Sequence, residues 1–216
     1  MKAVAVLSGG LDSTVSVAMG RADGLEFVRA LYFDYGQKAR SPERKASKGV
    51  SRKYRIPWTE VALPWLGRIT RTGLVGGKIP NVKEPELDDP EKTQETAAQV
   101  WVPNRNGVFL NVAAAFAEAD GAQLVVTGFD REEAATFPDN SPEFIRATNH
   151  AFRYSTANAV VVRSYVSDLT KSGIVEKGKV LRAPLDLIWS CYRGGRRPCG
   201  RCESCARSKR AFRGRA

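Results

Sequence analysis

Strand-like and helix-like segments alternate along most of this chain, and the strand-like ones are apolar almost throughout. KAVAVLS (2–8), FVRALYFDYG (27–36), WTEVALP (58–64), QLVVTGF (123–129) and AVVVRSYV (159–166) read as strands. GLDSTVSVAMGRADG (10–24), SPERKASKGVSRKY (41–54), VFLNVAAAFAEADG (108–121), SPEFIRATNHAFRYST (141–156) and DLTKSGIVEKGK (168–179) read as helices. Strands made of Val, Leu, Ala and Phe runs, without polar alternation, are buried on both faces. That pattern predicts an α/β fold: a Rossmann-like parallel sheet with helices on both faces. At 216 residues the chain fits one sizeable domain with a small appendage. We place the domain at 1–185 and the appendage at 186–216. Residues 73–99 fit no period and read as a mobile loop: Gly76, Gly77 and Lys78 suit a lid over phosphates, and an insertion with no catalytic residue is the alternative.

All four cysteines fall in CYRGGRRPCGRCESC, 191–205. No apolar run approaches a membrane span and no signal-peptide pattern opens the chain, so a cytoplasmic protein with reduced thiols is expected. Disulfides are then the wrong explanation for the cluster. The spacing C-x7-C-x2-C-x2-C sets soft thiolate ligands on tight turns, and four of them in tetrahedral array suit zinc. Cys191, Cys199, Cys202 and Cys205 would form a closed, structural site. An iron–sulfur cluster or a redox pair are the alternatives, although a redox pair normally sits near a βα junction. Replacing Cys199 by Ser is expected to lose metal and solubility before it alters any chemistry.

The net charge is +11, and the stretch from Arg193 to Ala216 carries nine Arg or Lys against one acid, Glu203. Such a basic tail leaves a nucleic-acid contact open, but a solvated tail beside a tetrathiolate site explains it as well, so stable nucleic-acid binding is not expected.

SGGLDS, Ser8 to Ser13, lies between the first strand and the first helix. Ligands of open α/β sheets bind at the carboxyl ends of strands, where a helix N-terminus offers free N–H groups to an anion. Gly9 and Gly10 would let the backbone approach a phosphate, and Ser8 and Ser13 add hydroxyls. Asp12 is repulsive beside phosphates unless a cation intervenes, and Mg2+ accompanying ATP resolves that conflict. The motif has neither the Gly-Lys-Ser/Thr ending of a Walker loop nor the spacing of GxGxxG.

SGGLDS matches the pyrophosphate loop of N-type ATP pyrophosphatases. Together with FDYGQ (33–37), VPNRNGVFL (102–110), PDNSPEFI (138–145), DLTK (168–171) and WSCY…CGRCESC (189–205), it resembles the 7-cyano-7-deazaguanine synthase family over essentially the whole chain. The resemblance implies an adenine nucleotide alpha hydrolase-like fold, zinc, and ATP with magnesium. It implies conversion of 7-carboxy-7-deazaguanine and ammonia to the nitrile, a precursor of queuosine or archaeosine, and it suggests a homodimer. Familiar members carry a Tyr-Ser-Gly-Tyr run and a cysteine near the Pro-Asp element; here the stretch reads GFDREEAATFPDN, with Asn140 in the cysteine's place.

Under that reading Ser8, Gly9, Gly10, Leu11, Asp12, Ser13 and Thr14 bind ATP, joined by Arg105 and by Asp34 and Gln37 at a switch point of the sheet. Asp12, Ser13 and Lys171 are the catalytic candidates. Guanine-like rings present N–H donors along one edge, so Asp130, Glu133 and Asp139 are the candidates for substrate. His150, the one histidine, lies in a predicted helix, which speaks against a histidine-based triad. A tRNA-modifying ATP pyrophosphatase, a thiolase or lysidine-type ligase, is the rival reading; thiolation wants a free cysteine, and all four are spoken for.

Overall fold

The computed structural model describes residues 1–214; Arg215 and Ala216, the end of the basic tail, lie outside the described residues. Five parallel strands form one sheet in the order β3-β2-β1-β4-β5, with β1 at Lys2–Val6, β2 at Glu26–Asp34, β3 at Trp58–Ala62, β4 at Leu124–Thr127 and β5 at Val161–Ser164. The helices are α1 (Leu11–Ala22), α2 (Arg40–Tyr54), α3 (Pro64–Arg68), α4 (Pro90–Val100), α5 (Arg105–Ala119), α6 (Arg131–Ala134), α7 (Pro142–Ser155), α8 (Lys171–Val180) and α9 (Glu203–Arg213).

The two faces of β1 separate the core as its pleat requires. Val4 packs with Leu31, Leu110, Ala114, Val125 and Phe152 on the side of α5 and α7. Ala3, Ala5 and Leu7 pack with Val17, Val50 and Val126 on the side of α1 and α2. A third cluster, with Leu11, Val15, Ile174, Val175 and Ala211, joins α8 and α9 to α1. Each such fully buried Leu or Val contributes about 1.5–3 kcal/mol.

The direction in which strands are added to the sheet reverses at β1, because β2 and β3 lie on one side of β1 and β4 and β5 on the other. The switch point therefore opens beside β1. It is not at the end of β2, where the sequence suggested that Asp34 and Gln37 would meet it.

Residues 73–99 are not devoid of structure. They hold a 3₁₀ turn at Glu84–Asp88 and most of α4, whose N-cap Asp89 accepts from the backbone N–H of Glu91 and Lys92. Ile79, Val82, Leu87 and Ala97 are buried, yet in sequence they are too scattered to show a period. The C-terminal basic stretch is likewise built into the molecule. Arg207 pairs with Glu203 and Glu132, Arg210 with Asp88, and Arg213 with Glu84. Among the described residues, no helix is long and apolar enough to cross a membrane.

Candidate active site

Ser8–Ser13 turn from the end of β1 into α1. Gly10 is the N-cap in an extended conformation, and no side chain caps the helix, so the first backbone N–H groups of α1 stay available. The hydroxyls of Ser8 and Ser13 lie 3.0 Å apart, and the Gly10 N–H donates to Ser8 Oγ at 3.2 Å. This is a cup of donors at the positive end of a helix, suited to a polyphosphate.

Neighbouring elements hold the cup in place. Gly9 has φ +82°, and a Cβ there would lie 2.5 Å from the backbone nitrogen of Ser47 in α2. Gly9 is therefore needed for its backbone conformation and for the approach of α2; it does not line the cavity, whereas Ser8, Gly10, Leu11, Asp12 and Ser13 do. Thr14 is fully buried beneath the loop. The Ser47 hydroxyl donates to Leu7 O at 2.7 Å, and the Trp189 N–H donates to Gly9 O at 2.8 Å.

Next to the cup, Lys171 Nζ donates to three carboxylates: Asp12 Oδ2 at 2.8 Å, Asp130 Oδ2 at 2.9 Å and Glu133 Oε1 at 2.7 Å. Three acids around one ammonium leave an excess of negative charge, which sets their proton affinities. Burial pushes the Asp130 carboxyl up to about 7, with the Glu133 charge adding to it and Lys171 opposing. Burial also raises Asp12. Burial opposes ionisation of Glu133 too, but Lys171, Arg105 and Arg207 outweigh it and hold its pKa below the usual glutamate value. Lys171 is buried, yet the three carboxylates keep it firmly protonated.

Asp130 has no exposed surface and does not reach the cavity. Its Oδ1 caps α6 by accepting from the N–H groups of Glu132 and Glu133, so it can touch a ligand only through Lys171. Glu133 and Asp139 do line the cavity. The oxygens of Asp12, Asp130 and Glu133 lie within 4.8 Å of one another, and Asp12 Oδ1 is buried with no hydrogen-bond partner. That unanswered oxygen and the uncompensated charge fit a cation such as the one that accompanies ATP.

Asp34 does not line the cavity. It accepts from the Gly36 N–H and from Arg44 Nη2 at 2.7 Å. Gln37 lines it but is 4% exposed, with its amide nitrogen given to Tyr32 Oη, Phe33 O and Glu43 Oε2. The residue this arrangement presents is Glu43, which the sequence offered only as part of a helix opening. Burial pushes its carboxyl up to about 7, against the Gln37 hydrogen bond and the Arg105 charge. His150 is exposed on α7, edge-on to Tyr154, and is not part of the cavity wall.

Arg105 opens α5 and lines the cavity. The turn before it places Asn104 in the left-handed region, at φ 51°, and a Cβ on Gly107 would lie 2.1 Å from Asn104 Oδ1. The sequence VPNRNG thus reads as a turn built to project Arg105. Farther along the wall, Phe33 and Phe109 stack at 4.2 Å, and Trp101 and Phe137 face each other with centroids 6.4 Å apart and planes 8° from parallel. Trp101 and Phe137 lie outside every strand and helix read from the sequence, and no pattern there marks this wall.

The four cysteine sulfurs also lie within 4.8 Å of one another, and Sγ of Cys199 and Cys205 are 3.9 Å apart. A tetrahedron with metal–sulfur bonds of about 2.3 Å has edges of roughly 3.8 Å, so one metal ion fits. Backbone N–H groups of Arg193 and Cys199 point at Cys191 Sγ, and that of Cys202 at Cys199 Sγ, as thiolate ligands favour. This knuckle also shapes the cavity, whose wall includes Trp189, Ser190, Tyr192, Ser204 and Arg207. Arg207 bridges Glu203 and Glu132, and Glu132 Oε1 accepts the backbone N–H of Lys171 at 2.7 Å.

The model of the family described as Queuosine biosynthesis protein QueC matches residues 2–215. A 7-cyano-7-deazaguanine synthase of Pelotomaculum thermopropionicum is 52% identical over 98% of this chain and 96% of its own length. One from Desulforamulus reducens is 51% identical over 98% and 93%. Among solved structures, a tRNA thiolase from Methanococcus maripaludis with its 4Fe–4S cluster superposes with a TM-score of 0.50 at 12% identity, over 85% of this chain and 57% of that one, and so shares the fold.

Proposed function

We propose a reaction for a chain that belongs to the Queuosine biosynthesis protein QueC family: ATP-dependent synthesis of 7-cyano-7-deazaguanine, the precursor of queuosine or archaeosine, from 7-carboxy-7-deazaguanine and ammonia. The observation that carries the mechanism is the open α1 N-terminus lying beside a lysine shared by three carboxylates, at the switch point of a parallel sheet.

A carboxylate is a poor acyl donor because its leaving group would be oxide. A carboxylate oxygen of the substrate attacks the α-phosphorus of ATP, and pyrophosphate leaves into the cup formed by Ser8, Gly10, Leu11, Asp12 and Ser13. Lys171 and the helix N-terminus stabilise the departing charge. Ammonia adds to the acyl carbon, loses a proton, and expels AMP to leave an amide. The amide oxygen then attacks a second ATP in the same way. Loss of AMP and of the two nitrogen-bound protons gives the nitrile. Glu43, whose carboxyl titrates near 7 in the cavity wall, is suited to accept such protons. Positioning and charge stabilisation do the rest, and no strong nucleophile is required.

Asp12 and Glu133, with Asp130 behind them, would hold magnesium, which when bound screens phosphate charge. Glu133 and Asp139, which line the cavity, would accept from the N–H edge of the base. The tetrathiolate knuckle would hold zinc in a structural role, and the family resemblance makes a homodimer the expected assembly.

Purified protein incubated with ATP, magnesium, ammonium and 7-carboxy-7-deazaguanine should yield the nitrile with two AMP and two pyrophosphate, read by mass spectrometry. AMP formation without nitrile would move the search to other carboxylic acids and to tRNA; no AMP at all would refute the reaction.

A further inference from the structure

The cavity has two places for negative charge, and the mechanism above uses one of them. Phosphates are served by the α1 N-terminus, the Ser8 and Ser13 hydroxyls and Lys171. Arg105 stands apart from this group, on the wall built by α5 and the segments flanking it. Its neighbours there are Tyr35, Tyr192 and Asp139, with Glu43 and Glu133 at longer range. Among the described residues Arg105 enters no ion pair; it hydrogen-bonds the Tyr35 side chain, and its Nε reaches Asn106 Oδ1 at 3.4 Å.

The surrounding groups keep the Arg105 guanidinium charged against its burial, and with no carboxylate in ion-pair contact its fork remains able to take one that a ligand brings. Arg207 and Arg210 of α9, by contrast, sit in ion pairs, Arg207 with Glu203 and Glu132 and Arg210 with Asp88. The turn at Asn104 and the space left by Gly107 project Arg105 from a rigid helix start, so its position is built.

The surroundings select what the guanidinium would hold. Trp101 lies four residues before Arg105, and its ring is nearly parallel to Phe137, two residues before Asp139. Flat aromatic faces, a carboxyl and a planar cationic fork on one wall match a flat heterocycle with N–H donors on one edge and a carboxylate on the other. A carboxylate conjugated to its ring is coplanar with it, and an arginine fork binds such a group through two parallel hydrogen bonds.

We propose that Arg105 is the receptor for the carboxylate of the heterocyclic acid, lying flat along Trp101 and Phe137, and that it serves the first of the two activations only. This assignment rests on the reaction proposed above and removes Arg105 from the ATP contacts that the sequence suggested. Once the carboxylate has become an amide, its negative charge and one of its two acceptor oxygens are gone, so the paired, charged contact with the fork is lost. The second activation then depends on the phosphate cup and Lys171 alone.

The test compares two substrates on the metal-loaded full-length protein: 7-carboxy-7-deazaguanine with ammonium, and the corresponding 7-amide, each with ATP and magnesium. Arg105→Lys keeps the charge and removes the fork; Arg105→Gln removes both. A charged hydrogen-bonded contact is worth about 1.5–3 kcal/mol, so kcat/KM for the acid should fall on the order of 10- to 150-fold. Conversion of the amide, and KM for ATP measured with the amide, should stay at wild-type values. Equal losses on acid and amide, or a raised KM for ATP, would identify Arg105 as a phosphate ligand and overturn the proposal. An undiminished rate with the acid would overturn it as well. Where Arg105→Gln lowers zinc content or helicity, Arg105→Lys decides. Wild-type protein that converts neither compound would instead overturn the reaction on which the assignment rests.

Discussion

Two identical tripeptides show what a residue's surroundings add to its identity. Ser-Pro-Glu occurs at 41–43 and at 141–143, and both read as helix openings. At the second, Ser141 Oγ accepts the Phe144 N–H at 3.1 Å, and Glu143 lies exposed in a surface pair with Arg146. At the first, α2 begins two residues earlier relative to the tripeptide, with Ala39 as N-cap and no side-chain cap, and Glu43 turns inward to Gln37. Burial there pushes its carboxyl from 4.5 up to about 7. Between those values the folded protein keeps a proton that the unfolded chain has released, so stability falls as pH rises through the window and is fully present only below it. Asp130 acts in the same sense from 3.8 to about 7. Glu43→Gln should flatten this slope and raise Tm relative to wild type by about 2–4 °C at pH 7.5, with little change at pH 4.5. Melting curves that run parallel for the two proteins across that range would show that Glu43 is not buried as described.

Among the elements, the junction of β4 with α1 sets the phosphate cup, although the two are more than a hundred residues apart in sequence. A Cβ on Gly128 would lie 2.3 Å from the Ser13 backbone nitrogen. Gly128→Ala must push the cup out of register, and a displacement of about 1 Å at a reacting centre costs on the order of 10²-fold in rate. We expect kcat/KM for ATP to drop by that factor while the protein stays folded; unchanged kinetics would mean that the cup does not hold the phosphates. The segment at 73–99 is likewise held by elements distant in sequence. Its helix, α4, packs against the knuckle through the hydrogen bond from Thr96 Oγ1 to Glu203 Oε2 at 3.1 Å, and Val82 and Leu87 pack with Ala206. Its apolar residues serve a surface supplied by the far end of the chain, which is why no local period marks them.

For the molecule as a whole, the knuckle is a wall of the site as well as a staple. Cys202 and Cys205 flank Glu203 and Ser204, both in the cavity wall, and α9 carries Arg207 toward Glu132 and the Lys171 backbone. Cys202→Ser should therefore abolish bound metal and activity together, where the sequence had suggested that solubility would go first. It should also lower Tm by roughly 10 °C, from a loss of about 3 kcal/mol, and open 73–100 to protease. Metal analysis, melting and limited proteolysis on one preparation check all three, and full activity without metal would refute the coupling. The parallel sheet, the turn of Ser8–Ser13 between β1 and α1 and the clustering of the four cysteines were legible in the linear sequence because each depends on local spacing: apolar runs, a turn between strand and helix, cysteines on tight turns. The placement of Glu43, the aromatic wall, the shielding of Asp130 behind Lys171 and the pairing of the basic tail were decided only by the tertiary structure. Each depends on which distant surfaces share a boundary, and burial and charge act across that boundary without leaving a period in the sequence.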